Sequence, residues 1–142
     1  YILGDGSIEY KKKLHELTEK LNLKNKVVFT GRIGVKERNK IMGESLAILV
    51  PSVREGWGLI VTEANGCGTT AITYDVPGLR DANKTGFICE RNNYKELAFF
   101  MDKLIRDKRL VGQKSKSALE FARTHADWNK NVDRLEKWIK TN

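Results

Sequence analysis

The sequence predicts an α/β protein: a Rossmann-like, doubly wound parallel sheet with helices on both faces and additional helices at the C-terminal end. Two observations predict this class. Up to Cys89, short apolar or β-branched runs alternate with segments in which apolar residues recur at helical spacing. After Tyr94, the helical spacing continues without a strand. Strands that alternate with helices are typical of a parallel sheet with crossover connections.

The N-terminal part repeats a strand, a turn and a helix. Tyr1–Leu3 predicts a first strand, and the glycine turn after it leads into a helix with apolar positions at Leu14, Leu17 and Leu21. Val27–Thr30 predicts a second strand. A mostly polar helix follows from Lys36 to Glu44.

The next strand is predicted at Ala47–Val50, an unbroken apolar run that Pro51 ends, as expected of a strand buried on both faces. A helix then spans about Leu59 to Gly66. The remaining predictions are a strand at Thr70–Thr73, a turn at Val76–Gly78, a strand at Gly86–Cys89 and three C-terminal helices. Trp128 and Trp138 are expected to be packing residues, and Ala126–Asp127 a helix cap.

Composition indicates one globular domain spanning residues 1–142. Lys and Arg number 26 against 18 Asp and Glu, so the net charge is +8, and 40% of the residues are hydrophobic. The longest apolar run, Leu46–Pro51, is far shorter than the ~20 residues of a membrane span. The only two cysteines, Cys67 and Cys89, do not form a Cys-x-x-Cys motif, which favours buried thiols and a cytoplasmic setting.

One loop combines residues suited to ligand chemistry. Glu55, Gly56, Trp57 and Gly58 lie between a buried strand and the helix that begins near Leu59, with Glu63 eight residues after Glu55. Glycines let a ligand approach the backbone, and a helix N-terminus favours an anion such as phosphate. A loop carboxylate and a helix carboxylate could then contact two sets of hydroxyls on one ligand. The simpler alternative is a solvated Glu55 and a Glu63 that complements the helix dipole.

The ordered motifs along the chain resemble the donor-binding half of the retaining glycosyltransferases of family 4, which have the GT-B fold. The E-x7-E motif from Glu55 to Glu63 is weakly specific alone. Here it occurs together with other motifs of the family, in the same order along the chain. The other matching segments are Leu3–Gly6, Val28–Gly31, Pro51–Ser52, Cys67–Thr69, Pro77–Leu79 and Thr85–Phe87.

The resemblance implies a site for a nucleotide-sugar donor. Glu55 would be the catalytic residue that holds donor-sugar hydroxyls, although the residues leave open whether it is ever a nucleophile. Glu63 would bind the ribose. The other implied substrate-binding residues are Gly56, Trp57, Gly58 and Leu59 at the sugar and phosphates, and Gly31 and Arg32 at the base. Such enzymes are generally metal-independent, so neither a metal nor a cofactor is expected.

The implied activity is transfer of a hexose, with retention, from a nucleoside-diphosphate sugar to an acceptor glycan or lipid-linked glycan. Relative to the family, this chain begins one strand and one helix late and lacks the N-terminal acceptor domain. We therefore expect a fragment that is inactive alone. The loss of a middle strand should leave either a closed gap in the sheet or an edge that pairs with another chain, as in a homodimer.

Two other function classes fit parts of the sequence. A non-catalytic, nucleotide-binding regulatory module would need the phosphate-binding loops but not both carboxylates. A nucleic-acid-binding domain rests on charge alone, and the dispersion of the lysines over several elements argues against it. The same lysines leave open a peripheral contact with the anionic cytoplasmic face of a membrane.

Overall fold

The computed structural model describes residues 1–125 and 128–141. The chain groups into two compact units, residues 1–38 and residues 39–142. In the first unit, β1 (Ile2–Leu3) pairs in parallel with β2 (Phe29–Gly31), and α1 (Ile8–Lys20) connects them. The helix α2 (Val35–Gly43) begins in this unit.

Helix α1 has stabilising residues at both of its ends. The Ser7 hydroxyl accepts a hydrogen bond from the Tyr10 amide at 3.2 Å, which satisfies one of the free amides of the first turn. Glu9 lies in the first turn and Lys20 in the last, each complementing the helix dipole. None of the residues of α1 is buried. The helix therefore depends on local caps more than on a packed core.

The second unit contains a three-stranded parallel sheet in the order β3–β4–β5. Its strands are β3 (Ala47–Val50), β4 (Thr70–Tyr74) and β5 (Phe87–Cys89). The helices are α3 (Leu59–Gly66), α4 (Pro77–Ala82), α5 (Tyr94–Arg106), α6 (Lys108–His125) and α7 (Trp128–Thr141). The described strands thus form two sheets, where the sequence predicts a single doubly wound sheet.

The core of this unit lies on both faces of β4, every residue of which is buried. On one face, Ala71 joins a cluster with Val61 of α3 and Leu79 of α4. On the other face, Ile72 joins a cluster with Leu104 of α5. Helices therefore cover both faces of a parallel sheet, and the predicted α/β class is confirmed.

Two local predictions are wrong. Strand β3 is not buried on both faces, because it lies at an edge of the sheet and Leu49 is 42% exposed. The fully buried strand is β4. The segment Val76–Gly78 is not an isolated turn, since Val76 is the N-cap and Pro77 the first residue of α4. Proline suits the first position of a helix, where its missing amide costs no hydrogen bond.

The three predicted C-terminal helices are confirmed as α5, α6 and α7. Trp138 of α7 is 63% exposed, and its role as a packing residue stays a prediction. The helix presents its apolar stripe to solvent, with Val132, Leu135 and Ile139 also exposed. The predicted cap at Ala126–Asp127 and the side chain of Trp128 lie outside the described residues.

Cys67 and Cys89 are free thiols, as the sequence predicts. Cys89 is fully buried between β4 and α5, and this burial raises the pKa of its thiol to about 11. Cys67 is only partly buried. Among the described helices, none is long and apolar enough to cross a membrane.

Candidate donor-binding site

The loop from Pro51 to Gly58 connects the carboxyl end of β3 to the start of α3. Gly58 is the N-cap of α3, with φ of 79°, a left-handed conformation that L side chains rarely adopt. A Cβ atom at this position would lie 2.7 Å from Cδ2 of Leu79. Only glycine therefore allows this turn to pack directly against α4.

A second close approach fixes the backbone at Glu55. Gly78, in the first turn of α4, is buried, and a Cβ atom there would lie 2.6 Å from the carbonyl oxygen of Glu55. It would also lie 2.7 Å from the carbonyl carbon and oxygen of Gly56. Backbone therefore packs against backbone at this point. The loops after β3 and β4, which the sequence predicts at one edge of the sheet, meet here.

The side chains proposed to contact a ligand are accessible. Glu55 is exposed in the loop, and Trp57 is 53% exposed. Glu63 is the fifth residue of α3, one turn into the helix, and is also exposed. The structure thus has one carboxylate in the loop and the other on the helix, as predicted; their roles toward a ligand stay predictions.

The start of α3 is suited to an anion. Its N-cap is Gly58, which makes no side-chain capping bond, and its first turn holds no acidic residue. A helix N-terminus carries free amides and a partial positive charge. Leu59 opens this helix with its side chain exposed. The backbone of residues 58–60 can therefore donate to phosphate oxygens.

The other two predicted site residues, Gly31 and Arg32, lie in the unit of residues 1–38. Gly31 ends β2 with φ of 64°, and its carbonyl accepts from the Gly4 amide at 2.9 Å. The loops after β1 and β2 therefore meet at the carboxyl end of their sheet. The hydrogen bond from Lys11 at 2.8 Å is the main reason that the pKa of Asp5 is lowered, with a smaller contribution from Arg32.

An ion pair closes the turn between β4 and α4. Arg80 Nε lies 2.7 Å from a carboxylate oxygen of Asp75, and both side chains are largely exposed. The hydrogen bond from Arg80 lowers the pKa of Asp75. The pair joins the residue after the strand to the middle of the short helix, which favours the orientation that brings Gly78 against the loop.

Gly78 shapes the candidate site, although the sequence analysis does not place it among the site residues. Its signal was the Pro77-Gly78 dipeptide directly after a strand, where a buried glycine indicates close approach of another backbone. Which backbone it would meet depends on tertiary packing. Within residues 1–125 and 128–141, no group of three or more His, Cys, Asp or Glu side chains could hold a metal ion.

Comparison with known proteins shows the family to which this chain belongs. The family of glycosyl transferases group 1 matches residues 1–138 of the chain. This chain belongs to that family.

Curated relatives are similar at moderate identity. A glycosyltransferase of Methanocaldococcus jannaschii is 27% identical over 139 residues, covering 96% of this chain and 38% of that protein. A D-inositol 3-phosphate glycosyltransferase of Stackebrandtia nassauensis is 27% identical over 125 residues, covering 86% of this chain and 28% of that protein. This chain therefore spans well under half the length of these relatives.

Solved structures share the fold over almost the whole chain. HepE of Anabaena, in complex with UDP, superposes with a TM-score of 0.88 at 21% identity, covering 99% of this chain and 40% of that one. TarM superposes with a TM-score of 0.81 at 25% identity, covering 98% of this chain and 27% of that one. These likenesses show that this group 1 member shares its α/β fold with part of GT-B glycosyltransferase structures.

Proposed function

We propose that this chain is the donor-binding part of a retaining, family 4-like glycosyltransferase that transfers a hexose from a nucleoside-diphosphate sugar. One observation carries the proposal. Gly78 of α4 packs against the Glu55–Gly56 backbone, which fixes a carboxylate-bearing loop directly before the uncapped start of α3. The sugar and the diphosphate of a donor need those two features side by side.

Each part of the proposed site has a distinct task. Glu55 binds hydroxyls of the donor sugar, and Glu63 binds the ribose hydroxyls. The amides of Gly56, Trp57, Gly58 and the first turn of α3 donate to the sugar and phosphates, and Gly31 and Arg32 line the base. Because the departing diphosphate gains charge as the glycosidic bond breaks, fixed amide donors stabilise the oxocarbenium-like transition state. We propose that no metal or cofactor takes part.

Calorimetry tests the donor assignment. The chain is titrated with UDP, GDP and ADP and with the glucose derivative of each, alongside Glu55→Gln and Glu63→Gln. Since each substitution removes a charged hydrogen-bond acceptor, we expect about tenfold or greater loss of affinity. Glu55→Gln weakens only the sugar-bearing ligands, whereas Glu63→Gln weakens every nucleotide.

Other outcomes would contradict these roles. Equal affinity of all three proteins for bare and glycosylated nucleotides would favour a nucleotide-binding regulatory module instead. A matched control is Glu44→Gln, because Glu44 is exposed just after α2 and outside the loop from Pro51 to Gly58. That variant is expected to bind like the unsubstituted chain.

The acceptor is proposed to be a glycan or lipid-linked glycan bound by a part of the enzyme that this chain does not contain. The support is that the chain spans only 38% of the relative from Methanocaldococcus jannaschii and 28% of the relative from Stackebrandtia nassauensis. We therefore expect no transfer by this chain alone. Appreciable release of UDP, GDP or ADP from their glucose derivatives, with transfer to an added glycan, would refute this expectation.

We further propose a cytoplasmic setting with peripheral membrane contact, and a possible homodimer. The net charge of +8 supports attraction to anionic headgroups. Flotation with vesicles containing phosphatidylglycerol, at low and high salt, tests the contact. Light scattering tests the dimer, and a monomer at high protein concentration would exclude it.

A further inference from the structure

We infer that Asn83 is a positioning residue for the donor site, and that it holds the Glu55–Gly56 peptide in place through the short helix α4. The inference rests on the proposed function and deepens it. Asn83 touches none of the residues proposed to contact the donor. Its effect is transmitted by the helix that it terminates.

Asn83 ties the end of α4 to two strands. The side chain is 2% exposed, and its Nδ2 donates to the carbonyl of Phe87 at 2.9 Å, to the Thr73 hydroxyl at 3.1 Å and to the carbonyl of Ala71 at 3.4 Å. Its Oδ1 accepts from the Gly86 amide at 2.9 Å. One buried amide therefore joins the central strand β4 to the start of β5. Buried, satisfied polar groups of this kind specify one local arrangement.

Helix α4 then transmits that position to the loop. It has only six residues, and Asn83 donates its own backbone amide to the carbonyl of Leu79 at 2.8 Å. Leu79 is fully buried and faces Gly58, where a Cβ atom would collide with it. Gly78 lies against the Glu55–Gly56 backbone at the other end of the helix. A shift at Asn83 therefore reaches the loop within two turns of helix.

Helix α3, which carries Glu63, has separate support. Val61 of α3 packs with Leu79 of α4, but Ala64 is fully buried as well and the helix also packs extensively against α6. At Gly68, just beyond the helix, a Cβ atom would contact Leu119 of α6 at 3.4 Å. Loss of the Asn83 contacts should therefore move the loop with Glu55 more than it moves Glu63. This difference separates positioning from a general loss of stability.

The test substitution is Asn83→Asp, which keeps the shape and the acceptor for Gly86 but removes the hydrogen bonds that Nδ2 donates to Ala71, Thr73 and Phe87. We expect affinity for UDP-, GDP- or ADP-glucose, whichever binds, to fall about tenfold. The matching nucleoside (uridine, guanosine or adenosine) is bound by Glu63 and the base contacts. Its affinity is expected to change less than about twofold. Asn83→Ala, which also removes the acceptor, should lower sugar-nucleotide affinity further.

Hydrogen exchange gives a readout that needs no ligand. In Asn83→Asp, amides of residues 52–58 should exchange faster, while those of residues 59–66 keep their rates. A matched control is Lys114→Met. Lys114 Nζ in α6 donates to the Thr85 carbonyl at 2.8 Å, so it contacts the segment between α4 and β5 without contacting α4 itself. That variant should leave the exchange of residues 52–58 unchanged.

Three results would overturn the inference. One is an equal loss of affinity for nucleoside and sugar nucleotide, and another is a lower Tm with unchanged affinities. The third is unchanged exchange at residues 52–58. If the unsubstituted chain binds none of the nucleotides or sugars, the proposed function fails, and the exchange rates still decide whether Asn83 positions the loop.

Discussion

At the scale of single residues, two glycines shape the candidate site through the space that they leave. Gly58 and Gly78 are both buried, and each allows α4 to approach the loop before α3. Gly58 additionally needs its positive φ, whereas Gly78 does not. The carboxylates have the chemistry for a ligand, but these glycines set where the backbone between them lies.

Gly58→Ala is expected to lower the free energy of unfolding by about 2–4 kcal/mol, from left-handed backbone strain and the collision with Leu79. Urea denaturation followed by circular dichroism measures this. The matched control is Gly66→Ala in the same helix, where an added Cβ meets nothing within 4 Å. That change should be neutral or stabilising by up to about 1 kcal/mol. Similar midpoints for all three proteins would contradict the packing described for Gly58.

At the scale of elements, α4 is the shortest described helix of its unit and the one with most consequence for the site. It has buried contacts through Leu79 and Ala82, a C-terminal anchor in Asn83, and an exposed ion pair between Asp75 and Arg80. Its six residues would not form a stable helix in isolation. Tertiary contacts at each of its turns maintain it.

The ion pair predicts a pH dependence. Because Arg80 lowers the pKa of Asp75 in the folded chain, the pair stabilises the fold above the ordinary carboxyl pKa of 3.8. That stabilisation is lost as the pH falls through the lower, folded pKa. Arg80→Gln should therefore lower Tm at pH 7, and the difference from the unsubstituted chain should shrink below about pH 4.

The charge-matched control for that experiment is Arg109→Gln, which removes an exposed guanidinium from α6. Its Tm difference is expected to be small and nearly independent of pH between 3 and 7, on the order of a degree or less. Equal and parallel curves for the two variants would show that the Asp75–Arg80 pair makes no specific contribution.

At the scale of the whole molecule, burial is concentrated in one of the two units. Every buried residue that the structure describes lies between Met42 and Ala122, and residues 1–38 contribute none. Stability within a protein follows local burial, since poorly packed segments open more readily. The two units should therefore differ in their opening free energies.

Native-state hydrogen exchange tests this difference. We expect amides of β4 and α3 to exchange slowest, near the global unfolding limit, and those of α1 to exchange at least about a hundredfold faster. Mass spectrometry of peptic fragments resolves the two regions. Uniform protection of residues 8–20 and 59–74 would show instead that the chain opens as one cooperative unit.

The α/β class and the helix after the E-x7-E loop were predictable because periodicity and the order of motifs are properties of the sequence. The α4 turn was misread because a helix of six residues shows less than two turns of periodicity. Leu49 was predicted to be buried because an apolar run looks the same in a central strand and in an edge strand. Exposure of that side chain depends on its neighbours in the sheet.

The sequence by itself determined the order of strands and helices, the two carboxylates and the glycines between them, since local spacing encodes each of these. The tertiary structure alone decided that β4 is the central strand and that Gly78 meets the Glu55–Gly56 backbone. It alone also decided that Asn83 joins α4 to β4 and β5. The physical reason is that these contacts join residues far apart in the chain, and only folding brings such groups within van der Waals or hydrogen-bond distance.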